Sequence, residues 1–214
     1  MLAARHRRCL RPGDRQCVDL RIASLQNIAM NLNQLTHLVL LLALAVLNST
    51  AWAQAAPVQS VPSLDVQRYA GQWFEQTRLP NFFQKNCLGD VVVNYRVQAD
   101  ASIEVVNRCR EANDKVNQVQ GRAVLADGET SGAKLKVSFL PSWLRWVPFT
   151  QGDYWVVLLD SDYKYAVVSE PSRKFMWVLS RAPVMDTATY EAVLAELKLK
   201  GYLVDGLIRT PQRP

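Results

Sequence analysis

Histidine is scarce in this sequence: its 214 residues contain two, His6 and His37. Both precede a predicted export-cleavage site after residue 53, so the chain beyond that site has none. A Ser-His-Asp triad and a zinc site with histidine ligands are therefore excluded there. Paired carboxylates remain in "LDSD", residues 159–162, but this pattern is typical of a solvated turn. We expect no enzyme activity, no metal and no cofactor.

Cysteine is also scarce, and only Cys87 and Cys109 of the four lie beyond residue 53. Two cysteines in an exported chain most often bond to each other. Such a disulfide stabilises a loop of this size by roughly 3 kcal/mol. Two free buried thiols are the alternative. A disulfide also removes the two thiols that a nucleophilic mechanism requires.

No hydrophobic run reaches the ~20 residues of a transmembrane helix. The run "LVLLLALAVL", residues 38–47, is followed by small residues at Ala51 and Ala53. This pattern predicts a secretory signal peptide at 30–53, cleaved after Ala53. Residues 1–29 are then an upstream extension or a mis-assigned start, and a basic, overlong leader from Met1 is the alternative. Both interpretations predict export.

No cysteine stands at the cleavage point, so we expect no lipoprotein attachment site. A soluble periplasmic protein is the simpler prediction, with association with the outer membrane left open. Charge adds little, because from Gln54 onward 19 Lys and Arg face 17 Asp and Glu. The basic surplus lies upstream, and a near-neutral mature chain excludes a nucleic-acid partner.

Alternation of apolar and polar residues dominates the chain after a linker at residues 54–63. The clearest case is "AKLKVSFL", residues 133–140, where every second residue is apolar. About eight such runs, separated by turn signals, predict an up-and-down barrel or a sandwich. Residues 63–71 predict a helical turn capped by Ser63, residues 202–210 a short terminal strand, and residues 211–214 a tail.

One segment has a helical period instead. Residues 186–200 place Tyr190, Val193, Leu194 and Leu197 at helical spacing, with Asp186 or Thr187 as the cap and Gly201 as the stop. A single amphipathic helix after the last long strand is expected to lay its apolar stripe on the outside of the sheet.

Three motifs in order resemble the lipocalins. They are Gly71-Gln72-Trp73, "LDSDYKYAVV" at 159–168 and "VLSRAP" at 178–183, which contains Arg181. With "NFFQKN" at 81–86, they are most similar to the bacterial lipocalins related to apolipoprotein D. The resemblance covers residues 64–210. It implies an all-β fold: an eight-stranded antiparallel up-and-down β-barrel with one C-terminal α-helix packed on its outside.

The resemblance also implies roles for the signature residues. Gly71 lets the chain bend into the barrel floor, Trp73 plugs the closed end, and Arg181 stacks across the indole ring with ~1–2 kcal/mol of cation–π energy. An ordinary core tryptophan beside a surface arginine is the alternative. The membrane-anchored bacterial members carry a lipid-bearing cysteine at the processed N-terminus, and this chain has none.

A barrel of this size encloses one small ligand. The predicted partner is a fatty acid, lysophospholipid or similar amphiphile in the bacterial envelope, with scavenging of damaged lipid and, less favoured, lipid modification as alternatives. We expect a monomer or weak dimer. Tyr95, Asn107 and Arg122 are candidates for orienting a head group, and plain core packing is the alternative for every lining residue. The predicted lining is Val91, Val93, Tyr95, Ile103, Val105, Asn107, Arg122, Leu135, Val137, Phe139 and Trp155, or a neighbour of Trp155.

Aromatic residues on two connections suit a membrane–water interface or an apolar lip over the cavity. We expect a ligand portal there that contacts lipid, and packing of the loops on the barrel is the alternative. The predicted portal residues are Phe82, Phe83, Trp143, Trp146 and Phe149.

Overall fold

The computed structural model describes residues 56–144 and 150–213 and the single residue His37. This part of the chain contains nine strands and two helices. The strands are β1 Gly71–Arg78, β2 Gly89–Val97, β3 Ile103–Arg110, β4 Val116–Leu125, β5 Lys134–Ser138, β6 Gly152–Leu159, β7 Tyr165–Ser169, β8 Met176–Ser180 and β9 Ile208–Arg209. The helices are α1 Val66–Tyr69 and α2 Thr187–Leu199, with single 3-10 turns at Ala112–Asp114 and Ser142–Leu144.

Strands β1 to β8 form a closed antiparallel barrel. From β2 to β8 each strand pairs with its neighbour in the chain, and β1 pairs with both β8 and β2. This closure confirms the predicted eight-stranded up-and-down barrel. The short strand β9 pairs with the last two residues of β1, Thr77 and Arg78. The terminal strand predicted at 202–210 is therefore only two residues long.

The barrel has two different ends. Helix α1 and the turns 98–102, 126–133 and 160–164 lie at one end, which we call the floor. The connections 79–88, 111–115 and 170–175 lie at the other end, which we call the mouth, with the described parts of 139–151. The inner core is concentrated toward the floor, around Trp73, Tyr95, Leu135 and Leu179.

Helix α2 packs on the outer face, as predicted. Its buried residues Tyr190, Val193 and Leu197 belong to an outer cluster with Val167 and Val178 of the barrel wall. Asp186 caps the helix by accepting a hydrogen bond from Thr189 N at 2.9 Å, which is the usual geometry of an N-cap.

Helix α1 begins later than predicted. The Asp65 carboxylate accepts from Gln67 N at 2.9 Å and Arg68 N at 3.2 Å, so Asp65 is the cap and the prediction of Ser63 is wrong. The physical reason is distance along the chain: an N-cap side chain reaches the second and third helical N–H groups, and Ser63 lies two residues too early.

The end of the chain fills a gap in the wall. Pairing of β1 with β2 is limited to Gly71–Phe74. Beyond it, residues Thr210–Arg213, which we call the C-terminal strap, lie between the two strands. Thr210 N donates to Gln76 O at 3.1 Å and Asp90 N donates to Pro211 O at 2.8 Å. The predicted tail is therefore part of the barrel wall in its described residues.

The segment predicted as a linker also contacts the barrel in its described part. Val58 is buried, and Val61 N donates to Val156 O at 2.8 Å. Residues 1–29 and the predicted signal peptide at 30–53 lie outside the described residues, His37 excepted. Within the described part of the chain, no helix has the length and apolar character needed to span a membrane.

Candidate functional site

A tryptophan and an arginine close the floor. Trp73 is fully buried, and its Nε1 donates to Tyr69 O at 2.8 Å. The Arg181 guanidinium carbon lies 3.9 Å from the centre of the indole ring. The same guanidinium donates to Gln72 O, Arg68 O and Ala70 O at 2.7–2.9 Å. The face of Arg181 thus covers the tryptophan while its edge holds the chain that enters β1.

Gly71 makes that entry geometrically feasible. Its φ of +90° lies in the region where side chains are rarely tolerated. A Cβ added there would lie 3.4 Å from Arg181 Nη1. The backbone requirement, more than lack of space, explains a glycine at this position.

Three tyrosines meet above Trp73 in the barrel interior. The Tyr154 hydroxyl lies 2.7 Å from the Tyr69 hydroxyl and 2.6 Å from the Tyr95 hydroxyl. Burial raises the pKa of all three phenols far above the ordinary value, because the charged phenolate is disfavoured without water. The cluster is therefore neutral near pH 7.

Little empty space remains at this depth. A cavity of about 10 Å³ lies beside the tyrosines, which is room for one water molecule. Its walls come from the three tyrosines and four apolar residues, Ile103, Val105, Ala123 and Leu135. The side chains that line this cavity leave no room for an alkyl chain beside the tyrosines.

Most of the predicted lining residues do face inward. Directly opposed residues in antiparallel strands share a face, so Asn107, opposite Val93, is on the inner face with Val119. The Phe139 ring lies over the inner face of Gly121, and it is 44% exposed at the mouth. The remaining residues with inward positions are Val91, Val93, Tyr95, Ile103, Val105, Leu135 and Val137.

Two predicted lining residues face outward. Arg122 opposes Glu104 and Ser138 on the outer face, and its Nη2 lies 2.7 Å from Asp100 Oδ2. Its neighbour Gly121 takes the inward position. Because glycine has no side chain, the sequence does not show which face Arg122 takes.

Trp155 is the second of them, although the prediction left a neighbour of Trp155 open as the alternative. It opposes Lys134, whose Nζ lies 4.8 Å from the indole centre, and it packs with the outer cluster. Its neighbour Tyr154 takes the inward position. The run "YWVVLL" is apolar throughout, so its pattern does not identify the inner face.

The mouth carries all three predicted portal residues that the structure describes. Phe82 is 75% exposed and Trp143 69%. Phe83 is half exposed, with its ring 5.4 Å from that of Phe175 and 6.1 Å from that of Trp177. Trp146 and Phe149 lie outside the described residues.

A disulfide fixes this connection to the barrel. Cys87 and Cys109 are bonded, with their Cα atoms 5.5 Å apart, which confirms the predicted pairing. Leu88 N also donates to Arg110 O at 2.7 Å. The connection 79–88 is therefore tied to β3 at one end and continues β1 at the other.

A buried polar cluster at the mouth was not predicted. Arg78 Nη1 lies 2.8 Å from Glu75 Oε1, and both side chains are almost fully buried. Gln84 Nε2 donates to the other Glu75 oxygen at 2.7 Å, and Thr210 Oγ1 donates to Glu75. Residues three apart in a regular strand face opposite ways, but a bulge between Glu75 and Thr77 turns both inward. No sequence pattern signals that bulge.

Comparison with known proteins identifies the barrel. A family model described as a lipocalin-like domain matches residues 64–212. The chain belongs to the lipocalin family. The resemblance seen in the motifs is thus confirmed.

Two relatives and one solved structure illustrate how this lipocalin compares. Temperature-induced lipocalin-1 of Arabidopsis thaliana is 37% identical over 156 residues, 72% of this chain and 83% of the relative. The outer membrane lipoprotein Blc of Vibrio cholerae is 34% identical over 158 residues, 73% and 87% of the two chains. Insecticyanin of the tobacco hornworm Manduca sexta has the same fold, with a TM-score of 0.59 and 23% identity, covering 75% and 87%.

Lipocalins generally bind small hydrophobic ligands. Among residues 56–144 and 150–213, no three His, Cys, Asp or Glu side chains are grouped so as to hold a metal ion. The described interior offers apolar walls, three neutral phenols and one paired Glu–Arg cluster.

Proposed function

We propose that this lipocalin binds one fatty acid, lysophospholipid or similar amphiphile and carries or stores it in the bacterial cell envelope. The observation that carries the proposal is the apolar inner surface at the mouth. Val119 and Phe139 face the interior and are 47% and 44% exposed. Covering such surface stabilises a complex by ~25 cal/mol per Å², so a hydrocarbon chain is the natural occupant.

The narrow space beside the tyrosines favours a ligand position in the upper half of the barrel. A cavity of about 10 Å³ admits no alkyl chain beside the tyrosines. The acyl chain therefore contacts Val119, Val137 and Phe139, and the predicted role of Asn107 in orienting the ligand is retained as part of the proposal. This shallow position leaves part of the ligand near the mouth.

Native mass spectrometry of the protein purified from its own periplasm tests the proposal. We expect a co-purified lipid of one or a few masses. After removal of lipid, titration with a fluorescent fatty acid should reach saturation at one molecule per chain. Absence of lipid in the first experiment together with no saturable binding in the second would contradict the proposal.

The portal is proposed to contact a lipid membrane during ligand exchange. Two observations support this: the exposed aromatic rings of Phe82 and Trp143 lie at the mouth, and one relative is named an outer membrane lipoprotein. We expect a blue shift of tryptophan fluorescence with liposomes, reduced in Phe82→Ser/Trp143→Ser. Val184→Ser is the matched control, because Val184 is equally exposed but follows Arg181 at the floor. An unshifted wild-type spectrum excludes the contact.

A further inference from the structure

Arg78 is a buried guanidinium with donors to spare. Its side chain is 6% exposed. Nη1 donates to Glu75 Oε1 at 2.8 Å and to Thr210 Oγ1 at 3.1 Å. Nη2 has a single long contact, 3.4 Å to Gln84 O, and Nε has no partner. A guanidinium carries five N–H donors, so the edge formed by Nε and Nη2 is almost unused.

Arg78 faces the interior of the barrel at the mouth. Arg78 directly opposes Trp177, which packs against the inner core. Two neighbouring N–H groups on one guanidinium edge match the two lone pairs of one or two oxygen atoms. A buried donor without an acceptor is destabilising. A hydrogen bond to an oxygen atom at this edge therefore contributes more binding free energy than the same bond to an exposed arginine.

The charge balance selects the kind of oxygen. Glu75 already neutralises Arg78 at 2.8 Å. A carboxylate or phosphate at the same guanidinium would bring a second negative charge without a second positive one into a buried site, which is unfavourable. A carbonyl oxygen is a good acceptor and brings no net charge.

We propose that the Nε–Nη2 edge of Arg78 binds the carbonyl oxygen of a neutral acyl ester. The inference rests on the proposed function, because it places an ester-linked amphiphile, and not a free fatty acid, in the same barrel. Arg78 Nε has no solvent-exposed surface. The oxygen therefore reaches it when residues 82–84 move outward, while the end of the connection stays bonded to β3 through Cys87.

Displacement of a bound hydrocarbon dye, diphenylhexatriene, tests the proposal with three matched compounds: cis-9-octadecene, methyl oleate and oleate. A hydrogen bond to a charged donor in a buried site corresponds to roughly tenfold or more in affinity. We expect methyl oleate to displace the dye at about one tenth of the concentration that cis-9-octadecene requires, and oleate to be no better than the ester.

Arg78→Lys keeps the charge opposite Glu75 but removes the guanidinium edge. The advantage of methyl oleate over cis-9-octadecene should fall below about twofold. Arg122→Lys is the control, because Arg122 lies on the outer face, and it should behave as the wild type. In the wild type itself, the infrared band of a 13C-labelled ester carbonyl should move to lower wavenumber on binding.

Each outcome is decisive. Equal displacement by ester and hydrocarbon, or an unshifted carbonyl band, overturns the subsite but leaves lipid binding in place. Oleate binding tenfold tighter than the ester shows an anion site and overturns the choice of a neutral ligand. If none of the three compounds displaces the dye, the proposed function fails and the subsite fails with it.

Discussion

Arg181 stabilises the floor through two different parts of one planar group. Its face lies 3.9 Å from the Trp73 ring centre, and its edge donates to three backbone carbonyls of residues 68–72. Burial lowers the pKa of this guanidinium, yet an arginine remains charged at any ordinary pH. A cation with five fixed donors is suited to this position, and lysine lacks the planar geometry.

Replacing Arg181 should cost more stability than replacing a surface arginine. Arg181→Met removes the cation–π contact and leaves carbonyls of the floor without their donor, so we expect a loss of roughly 2–4 kcal/mol of unfolding free energy. Urea unfolding measures it. Arg122→Met is the control, and its exposed ion pair with Asp100 predicts a change below about 1 kcal/mol. Equal losses would show that Arg181 does no more than a surface residue.

Tyr154 is the centre of the tyrosine cluster because its hydroxyl contacts both others. Tyr154→Phe removes both of these short hydrogen bonds, whereas Tyr95→Phe removes one and leaves the Tyr69–Tyr154 pair intact. We expect Tyr154→Phe to be the more destabilising variant by about 1–2 kcal/mol. Thermal or urea unfolding of the two variants compares them directly, and equal effects would contradict this role.

At the scale of elements, the C-terminal strap replaces the missing part of the β1–β2 pairing. Besides its backbone hydrogen bonds, Gln212 Nε2 donates to Glu75 O at 2.8 Å and Val91 O at 3.0 Å. One side chain thus joins both strands. Arg213 adds an exposed ion pair with Asp114 at 2.9 Å, which contributes little by itself.

Gly89→Ala should displace the strap. A Cβ at this position would lie 2.6 Å from Pro211 O, closer than any real contact, so the strap has to move. We expect a loss of about 1–3 kcal/mol and faster amide exchange at Asp90, whose N–H donates to Pro211. Gly206→Ala is the matched control, since nothing lies within 4 Å of its added Cβ. Unchanged exchange at Asp90 would contradict the strap's role.

The strand β1 shows where sequence alternation stops being informative. Trp73 and Glu75 follow the period of two and both face inward. The bulge before Thr77 then shifts the period, so Arg78 faces inward as well. A bulge depends on the register with β8 rather than on the residues of β1 alone. The polar cluster, and with it the site proposed for an ester carbonyl, was therefore beyond sequence analysis.

At the scale of the whole molecule, the barrel is closed at one end and apolar at the other. The fully buried Trp73 lies at the floor, while Phe82, Trp143 and Phe139 are exposed at the mouth. This difference between the two ends, rather than any single residue, supports the proposed binding of an amphiphile. The floor is closed to water, and the mouth exposes apolar side chains that a hydrocarbon chain can contact.

The pH dependence of stability follows from the titratable groups. Residues 56–213 contain no histidine, so we expect nearly constant stability between about pH 6 and 9. Unfolded tyrosine loses its proton near pH 10, whereas burial raises the pKa of Tyr69, Tyr95 and Tyr154 in the folded state. The unfolded chain then binds fewer protons, so stability falls as the pH rises above about 10.

Urea unfolding at a series of pH values measures this loss, and Tyr95→Phe should reduce its slope. On the acid side, hydrogen bonds from Thr189 lower the pKa of Asp186. The stability from this cap is present above about pH 4 and is lost as the pH falls through the lowered value. A steep change between pH 6 and 9 would contradict the scheme.

By itself, the sequence determined the all-β pattern, the outer helix and the cysteine pair. Its motifs determined the barrel and the signature residues of the floor through their resemblance to the lipocalins. Alternation, helical spacing and short motifs depend on residues close together in the chain, so they can be recognised in the sequence alone. Only the tertiary structure decided which way Arg122 and Trp155 face, that the last residues become a wall, and that Glu75 and Arg78 meet inside. These depend on a bulge and on pairings between residues far apart in the chain, which no local pattern records.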